Sequence, residues 1–354
     1  MSQPAIKIIF NDDIGDGLPV PGMDALAQVH AATEVDEALK GQGYLTELVA
    51  VKGAGFSGLD ALIQAVKELA VPQGALVFNL CEAAFGKSAL EMHVAALLEL
   101  YGARFTGSGP LTLGLALNKG LTKDVLASRD ILTPEYCVVD APPSKLKRGL
   151  KFPLIVKPLH EDASLGIDSG AVVGTMKELK KRVEFVMSAF RQPAIVEEYV
   201  DGREFNIAIL GNGKEAYALP PSEIEFVDFP LNAPKICCYE AKWIQESPLY
   251  KKTKPVCPAH VPDSLRDELQ VVAIKAYHAM GCRDYARVDM RLGEDGNIKV
   301  LEVNPNPDIS TDAGFARAGG AAGFDYPRLV SEIVNVAALR YASERMKEAA
   351  PLAV

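Results

Sequence analysis

The sequence lacks the features that mark several classes of protein. Its six cysteines include no C-x-x-C pair, so they fit a reduced intracellular chain better than a disulfide scaffold or a zinc site. No segment approaches the roughly 18–20 apolar residues of a membrane span, and the N-terminal apolar run is too short for a signal peptide. The formal net charge of −9 argues against a nucleic-acid partner. We therefore expect a cytoplasmic protein that binds neither membrane nor nucleic acid.

The sequence does contain alternating strand-like and helix-like segments. At roughly 150 residues per domain, 354 residues indicate two or three domains. Apolar runs at 6–10 and 75–80 predict buried strands, and 88–102 predicts a helix that a Ser88/Glu91 capping box opens. Strands separated by helices predict a small α/β domain over about the first 110 residues.

Two further units follow. The segments that predict strands or helices in them are 117–130, 152–158, a helix after the capping box Thr175/Glu178, 194–200, 204–211 and 263–281. Between them, residues 220–262 predict a long irregular stretch rich in proline and lysine. Long loops in compact domains are usually lids or binding loops, so we expect this one to cover a site.

One carboxylate interrupts an apolar strand. Glu302 lies among apolar neighbours in the segment 299–304, and Asn304 follows two residues later. Alternation along a strand places both side chains on one face. A buried carboxylate costs several kcal/mol unless a positive partner meets it. The pattern therefore predicts a cation at this strand.

A second carboxylate is expected beside the first. If 286–292 and 299–304 pair as a hairpin, Asp289 and Arg287 lie on the same face. Carboxylate and amide oxygens suit Mg²⁺ and not zinc, and Mg²⁺ held by few carboxylates usually completes its shell with substrate phosphates. Taken alone, Arg287 and Asp289 are also compatible with a plain surface ion pair.

Lysines occur where a phosphate would need them. Lys157 ends an apolar strand, Lys119 opens the second unit and Lys242 lies in the long loop. The loop 160–168, with Ser164, could offer backbone N–H groups to phosphate oxygens. Lys157 alone could instead extend into solvent at a strand end.

A simpler interpretation also exists for the two adjacent glutamates of the following strand. Glu197 and Glu198 most simply form a solvated strand edge. The coexistence of all these features in this order is more specific than any one of them.

Taken together, these stretches resemble the ATP-grasp ligases, and within them the D-alanine–D-alanine ligases. The similarity runs from about residue 75 to 335 and is carried by FTGSGPLTLGLALNKGLTK, LIVKPLHEDASLG, IVEEYVDGREFNIAILG, YEAKW, VCPA, ARVDMRL and LEVNPNPD. The first 70 residues or so match only in their general α/β character.

The resemblance implies a three-domain ATP-grasp fold, α/β and α+β, with ATP held between two α+β subdomains. It divides the chain into an N-terminal α/β substrate domain at 1–118 and a central ATP-grasp subdomain at 119–202. A C-terminal subdomain at 203–354 would carry the metal site and a mobile loop at 220–262. A homodimer is expected from the resemblance alone.

The resemblance also implies the role of each site residue. The residues that it assigns to ATP are Lys119, Lys157 and Lys242 at the phosphates, Ser164 in the lid loop, Glu197 with the backbone of Glu198, Tyr199 and Val200 at the adenine, Glu204 at the ribose and Leu301 beneath the base. The metal ligands that it assigns are Asp289, Glu302 and Asn304, for two Mg²⁺ ions that Mn²⁺ can replace. The catalytic residues that it assigns are Arg287 at the developing oxyanion and Lys242 at the γ-phosphate.

The implied reaction converts a poor acyl donor into a good one. A carboxylate accepts the γ-phosphoryl group of ATP, and an amine then attacks the resulting acylphosphate. Positioning and charge neutralisation do most of this work. Because acylphosphates hydrolyse easily, the site needs a lid that excludes water. We expect 160–168 and 220–262 to form that lid.

The first-substrate side of the site departs from the family pattern. The family carries Gly-Gly-x-Ser-x-Glu after its first strand, and no equivalent glutamate can be placed in the segment 10–22. The two adjacent serines of the family's lid loop are Ala163 and Ser164 here, and the tyrosine that partners them is Trp243.

The second-substrate side departs as well. Asp308 replaces the glycine of the family's Asn-x-x-Pro-Gly stretch, and Ala313 and Gly314 stand where a Ser-Leu pair binds the second alanine's carboxylate. Together with Asp312, this indicates a substrate that is basic or lacks a free carboxylate, although Asp308 could equally cap its own loop. The candidate substrate residues are Trp243, Asp308 and Asp312.

We therefore predict a ligase that joins a small carboxylate to an amine, both of them amino acids or short peptides, and that differs from a D-alanine–D-alanine ligase. Three alternatives stay open: a genuine D-alanine–D-alanine ligase, a non-catalytic ATP-binding regulatory protein, and a phosphotransferase that stops after phosphate transfer. The products distinguish them, because only a ligase yields ADP, phosphate and an amide.

Overall fold

A computed structural model describes residues 5–12, 25–51, 55–70, 75–162, 164–229, 233–244 and 246–349. The strands within them are β1 (Ile6–Asn11), β2 (Thr46–Val51), β3 (Leu76–Asn79), β4 (Tyr136–Val139), β5 (Leu154–Pro158), β6 (Val172–Val173), β7 (Ala194–Glu198), β8 (Gly202–Leu210), β9 (Tyr217–Ala218), β10 (Ser222–Phe226), β11 (Thr253–Val256), β12 (Tyr285–Gly293) and β13 (Ile298–Asn304).

The helices within the same ranges are α1 (Ala25–Gly41), α2 (Gly55–Ala70), α3 (Glu91–Leu100), α4 (Pro110–Leu117), α5 (Lys119–Ala127), α6 (Met176–Phe190), α7 (Tyr239–Trp243), α8 (Pro248–Lys252), α9 (Asp263–Ala279), α10 (Gly314–Ala321) and α11 (Tyr326–Ala349). No helix in this described part of the chain is long and apolar enough to cross a membrane.

The first sheet is parallel, in the order β2-β1-β3. Alternation along β1 sends Ile8 into a core that also contains residues of α1 and α11, and Ile9 into a core that contains residues of α2 and α3. Parallel sheets covered by helices on both faces are typical of α/β domains. The prediction of a small α/β unit at the N-terminus is therefore confirmed.

The second sheet is antiparallel, in the order β4-β7-β5-β6. Its apolar face packs on α6 through Leu154, Val156 and Val196. The predicted capping box of α6 is confirmed, because Thr175 Oγ1 accepts from the Glu178 N–H and Glu178 reaches back to the Thr175 N–H. This sheet lies within the predicted segment 119–202.

The third sheet follows the order β11-β10-β8-β12-β13, and β9 pairs with β8. The predicted hairpin is confirmed, because β12 and β13 pair antiparallel with Asp289 opposite Glu302. One face packs on α9 through residues such as Val288 and Val300, and the other face carries polar side chains. The domain boundaries themselves stay a prediction.

Two predictions about local structure are wrong. The segment 88–102 is not one capped helix: residues 88–90 form a 3₁₀ turn, and α3 begins at Glu91 with no side-chain cap. Glu91 is buried and accepts from Asn306 Nδ2 at 3.1 Å, so a contact distant in sequence replaces the local cap.

The segment 220–262 is also not irregular throughout. It contains β10, β11, α7 and α8, each too short for its periodicity to be read from the sequence. The mobility of this segment stays a prediction.

Candidate active site

The predicted site residues meet at a cleft of about 1730 Å³ that is lined by the second and third sheets and, from the N-terminal unit, by α1 and the loop after β3. Those that line it are Lys157, Ser164, Glu197, Glu198, Tyr199, Val200, Glu204, Lys242, Arg287, Asp289, Leu301, Glu302, Asn304, Asp308 and Asp312. Lys119 lies just behind the wall, with its Nζ 3.9 Å from Glu302. The side chain of Trp243 is outside the described part of the structure, as are Ala163 and residues 13–24.

A buried cluster of charges forms one wall of the cleft. Glu197 on β7 is 1% exposed, and its Oε2 lies 3.1 Å from Lys157 Nζ and 3.4 Å from Lys123 Nζ. Burial alone would raise the pKa of Glu197, but the charges of Lys123 and Lys157 outweigh it and the pKa is lowered. The solvated strand edge is therefore wrong for Glu197, and Lys157 does not extend into solvent.

Glu198, the next residue, behaves differently. Its side chain is 37% exposed and accepts from Lys299 Nζ at 2.9 Å. Its backbone N–H donates to the Glu135 carbonyl, and that of Tyr199 donates to Pro153. These two N–H groups therefore have partners already.

Two polar groups beside β7 have no such partner. Glu197 Oε1 is buried without a hydrogen bond, and the Val200 N–H has no hydrogen-bond partner among the described residues. The Val200 carbonyl accepts from Arg291 Nη1 at 2.7 Å. A free acceptor beside a free donor matches the edge of adenine, which offers an amino donor and a ring-nitrogen acceptor. The residues present thus fit an adenine base.

The polar face of the third sheet forms the opposite wall. In the β12–β13 ladder Arg287 lies opposite Asn304 and Asp289 opposite Glu302, so all four side chains share one face. Arg287 Nε lies 2.8 Å from Asp289 Oδ1. Both side chains are largely buried. The alternative of an ion pair is therefore confirmed, but its placement on the surface is wrong.

Asp289 is held from three sides. Besides Arg287, Asn206 Nδ2 donates to it at 2.7 Å and Asn304 Nδ2 at 3.1 Å. Burial would lower the pKa of Arg287, but Asp289 raises it, so the guanidinium stays charged.

The oxygen atoms of Asp289, Glu302 and Asn304 show whether the site is suited to Mg²⁺. Carboxylate and amide oxygens are the hard donors that Mg²⁺ prefers. No group of three or more His, Cys, Asp or Glu in the described ranges is arranged to hold a metal. A metal here would therefore rely on Asp289 and Glu302, the Asn304 amide oxygen and substrate phosphates.

Glu302 has the positive surroundings that the sequence pattern demanded. Burial raises its pKa, but Lys119, Lys157 and other cations of the cleft outweigh burial and lower the pKa to about 2. Lys119 Nζ also donates to the Glu161 carbonyl, and Asp162 lies 3.4 Å away. The carboxylate is thus ionised and faces several cations.

A β-bulge explains how Leu301 can reach the cleft. The ladder pairs Asp289 with Glu302 and Met290 with Val300, so Leu301 has no partner of its own. In a regular strand Leu301 would point away from the face that carries Glu302. A bulge re-aims the extra residue, and Leu301 indeed lines the cleft.

Glu204, predicted at the ribose, is already paired. Its carboxylate lies 2.6 Å from Arg291 Nη2. Sequence reasoning missed three residues that touch the predicted ones: Lys123, Asn206 and Arg291. Their spacing would have found them, since Lys123 lies one helical turn after Lys119 and the other two continue the same strand faces.

Hydrogen bonds join the loop 160–168 to the segment that carries Cys237 and Tyr239, at the edge of the cleft. Ser164 Oγ donates to the Cys237 carbonyl at 2.9 Å, and the Tyr239 N–H donates to the Ile167 carbonyl at 3.0 Å. Ser164 has φ +63°, a sparsely populated conformation for a residue other than glycine. The loop 160–168 therefore contacts the segment that carries Lys242.

The part of the cleft where the sequence predicts the substrates holds further carboxylates. Asp308 Oδ1 accepts from the Ser310 N–H at 2.9 Å and from Ser310 Oγ at 2.6 Å, so its loop-capping role is confirmed. Glu82 lines the cleft, and burial first and Asp308 second raise its pKa to about 7. Arg317 lines the same region, and its buried Nε has no hydrogen bond.

Comparisons with known proteins agree with this geometry. The family model "D-ala D-ala ligase C-terminus" matches residues 131–335, more than half of the chain. A D-alanine–D-alanine ligase of Bordetella petrii is 33% identical over 69% of this chain and 71% of its own length. An uncharacterized protein of Sinorhizobium fredii, y4sG, is 36% identical over 75% of each chain.

Solved structures show the same fold. A D-alanine–D-alanine ligase from Bacillus anthracis, complexed with ATP, has a TM-score of 0.72 at 21% identity and covers 97% of this chain and 99% of its own. The VanG D-Ala:D-Ser ligase from Enterococcus faecalis has a TM-score of 0.70 at 18% identity over 95% and 100%. The predicted ATP-grasp fold is confirmed, and the chain belongs to the D-alanine–D-alanine ligase family.

Proposed function

We propose that this protein is an ATP- and Mg²⁺-dependent ligase that joins a carboxylate to an amine through an acylphosphate, with substrates other than two D-alanines. The observation that carries the proposal is the pairing of opposite charges across one cleft. Lys119 and Lys157 approach it from one side, and Asp289 and Glu302 from the other. The boundaries 1–118, 119–202 and 203–354 are proposed as its domains.

The residues of the chain would divide the work between binding and charge neutralisation. Lys119, Lys157 and Lys242 would hold the phosphates, and Arg287 would stabilise negative charge on the acyl oxygen. Bound Mg²⁺ would supply further neutralisation of phosphate charge. The linked loops that carry Ser164 and Tyr239 would keep water from the reacting carboxyl group.

The substrate side supports amino acids or short peptides as substrates. The hydrogen bonds of Asp308 within its own loop remove the main reason to expect a basic amine. The side chain of Arg317 instead offers a cation to a carboxylate. Relatives of this fold are named as D-Ala:D-Ala and D-Ala:D-Ser ligases, so the amine partner differs among them.

Phosphate release from ATP over a matrix of amino acids, small acids and amines tests the proposal, with mass spectrometry of the products. We expect an amide product, ADP and phosphate with at least one pair other than two D-alanines. If D-alanine alone gives product, the protein is a D-alanine–D-alanine ligase. A stable phosphorylated product identifies a phosphotransferase, and no turnover with any pair supports a binding protein.

A further inference from the structure

Lys123 is a buried cation that no step of the proposed reaction uses. It lies on α5 one turn after Lys119, and its side chain is 0% exposed. Its Nζ donates to Thr133 Oγ1 at 2.9 Å and lies 3.4 Å from Glu197 Oε2. Lys123 is not among the described residues that line the cleft, so it is not placed to bind a ligand there.

The two lysines beside Glu197 differ in access. Lys157 lines the cleft, whereas Lys123 sits behind Glu197. Both contact the same oxygen, Oε2, and Oε1 stays buried without a partner. When Lys157 turns to a phosphate, as proposed above, Lys123 is the cation left in contact with the Glu197 carboxylate. A buried carboxylate without a cation tends to become protonated, and it then loses its negative charge and gains an O–H donor.

We propose that Lys123 is a positioning residue that keeps Glu197 ionised, with Oε1 directed at the base, and thereby makes the cleft selective for a 6-amino purine. The inference rests on the proposed binding of ATP. An ionised carboxylate accepts a hydrogen bond from the 6-amino group of adenine and repels the 6-carbonyl oxygen of hypoxanthine or guanine. The Val200 N–H contributes to this selectivity as well, but it is the same in every side-chain variant, so a change in selectivity on substitution of Lys123 reports the charge and orientation of Glu197.

Equilibrium binding of ADP and IDP, measured by calorimetry on the full chain with Mg²⁺ and without turnover, tests this role. The two nucleotides differ at position 6 of the base and at N1, which is an acceptor in adenine and carries a hydrogen in hypoxanthine. We expect the unaltered protein to prefer ADP by about 30-fold or more, as a hydrogen bond to a charged group gives. Lys123→Met should lower that ratio at least about tenfold through weaker ADP binding, and Lys123→Arg should keep most of it.

Control variants separate positioning from folding. Lys180→Met removes an exposed lysine of α6 and should leave the ratio unchanged. The double variant Lys123→Met/Glu197→Gln removes one positive and one negative charge together. It should fold, with a melting temperature near that of the unaltered protein, and should also lose the preference for ADP.

The outcomes are distinct. Lys123→Met that weakens ADP and IDP equally, or that keeps the full ratio, overturns the positioning role while ATP binding stands. An unaltered protein that binds ADP and IDP alike overturns the inference about the base. An unaltered protein that binds no nucleotide overturns the proposed function as well.

Discussion

The two ends of the cleft satisfy their charges in different ways. At the nucleotide end (Lys119, Lys123, Lys157 and Glu197), oppositely charged side chains on regular strands and on α5 meet one another directly. At the substrate end (Glu82, Glu91, Asp308 and Arg317), the carboxylates bond to loop groups or have raised pKa values. Sites on regular elements are more rigid than sites on loops. The difference indicates that the proposed reaction site is fixed by the fold and that the proposed substrate site is open to change.

The largest expected effect concerns Asp289, which lies on the wall that both ends of the cleft share. If this wall is not catalytic, the comparison of the two ends loses its basis. Asp289→Asn keeps the size of the side chain and removes the charge that faces Arg287 and the proposed metal. We expect ADP release with substrates to fall by about 10²–10³-fold, the typical value of one group that stabilises transition-state charge. A coupled assay for ADP measures it.

The matched control is Glu294→Gln, an exposed carboxylate in the turn of the same hairpin. Circular dichroism of both variants should match that of the unaltered protein. Turnover of Asp289→Asn at the rate of the unaltered protein would refute the metal and oxyanion assignment, and the nucleotide end would then need a different catalytic wall.

The next largest effect is expected at Arg317, which tests whether the two ends of the cleft bind different ligands. If its guanidinium binds the carboxylate of the amine partner, Arg317→Met should raise the KM of that partner by about 10–100-fold, the value of a charge-assisted hydrogen bond. The Kd of ADP should stay the same, because the nucleotide end is intact. Steady-state kinetics and calorimetry measure the two quantities.

Arg328→Met is the control, since Arg328 is exposed on α11 and packs on Phe324. If Arg317→Met leaves the KM unchanged, or if it weakens ADP to the same extent, Arg317 is not the anchor of the amine partner. A carboxylate-free amine that matches the amino acid in KM would lead to the same conclusion.

The sequence predicted the wall shared by both ends better than the buried charges of the nucleotide end, for a physical reason. Glu302, Asn304, Asp289 and Arg287 could be placed on one face because strand alternation and hairpin register are local rules. The buried state of Glu197 depends on Lys123 and Lys157, which are far from it in the chain. Propensity and periodicity carry no information about such contacts.

The errors follow the same division. Ser88 and Glu91 have the spacing of a capping box, but Glu91 bonds to Asn306, which is 215 residues away. The bulge at Leu301 breaks the alternation that the rest of β13 obeys. Local rules therefore fail where a distant part of the fold offers a stronger partner or shifts the register.

A substitution of Glu82 tests whether a buried negative charge at the substrate end lowers the stability of the folded protein. Burial raises its pKa from 4.5 to about 7, so the folded state binds the proton more tightly than the unfolded state. Stability therefore falls as pH rises from 4.5 to about 7. We expect Glu82→Gln to stabilise the protein above that window by about 1–2 kcal/mol, a value reduced for its partial contact with solvent.

Urea unfolding at two pH values measures the effect. Below pH 4.5, where Glu82 is protonated in both states, the variant and the unaltered protein should have the same unfolding free energy. Glu184→Gln, an exposed glutamate of α6, is the control and should change neither value. Equal stability of Glu82→Gln and the unaltered protein at high pH would show that the substrate end carries no such cost.

The smallest effect is expected at Asp308, and it decides between loop geometry and substrate charge. Asp308→Asn keeps an oxygen that can accept from the Ser310 N–H and Oγ, so the loop should persist and the KM of the amine should change less than about threefold. Asp308→Ala removes both hydrogen bonds and should cost about 1–2 kcal/mol of stability. Asp308→Asn could instead raise the KM of cationic amines tenfold or more, while Asp308→Ala keeps the unfolding free energy of the unaltered protein. In that case the charge of Asp308 selects the substrate. The basic amine that the sequence first indicated would then be restored, and side-chain charge would define the ligand at the substrate end just as we propose for the nucleotide end.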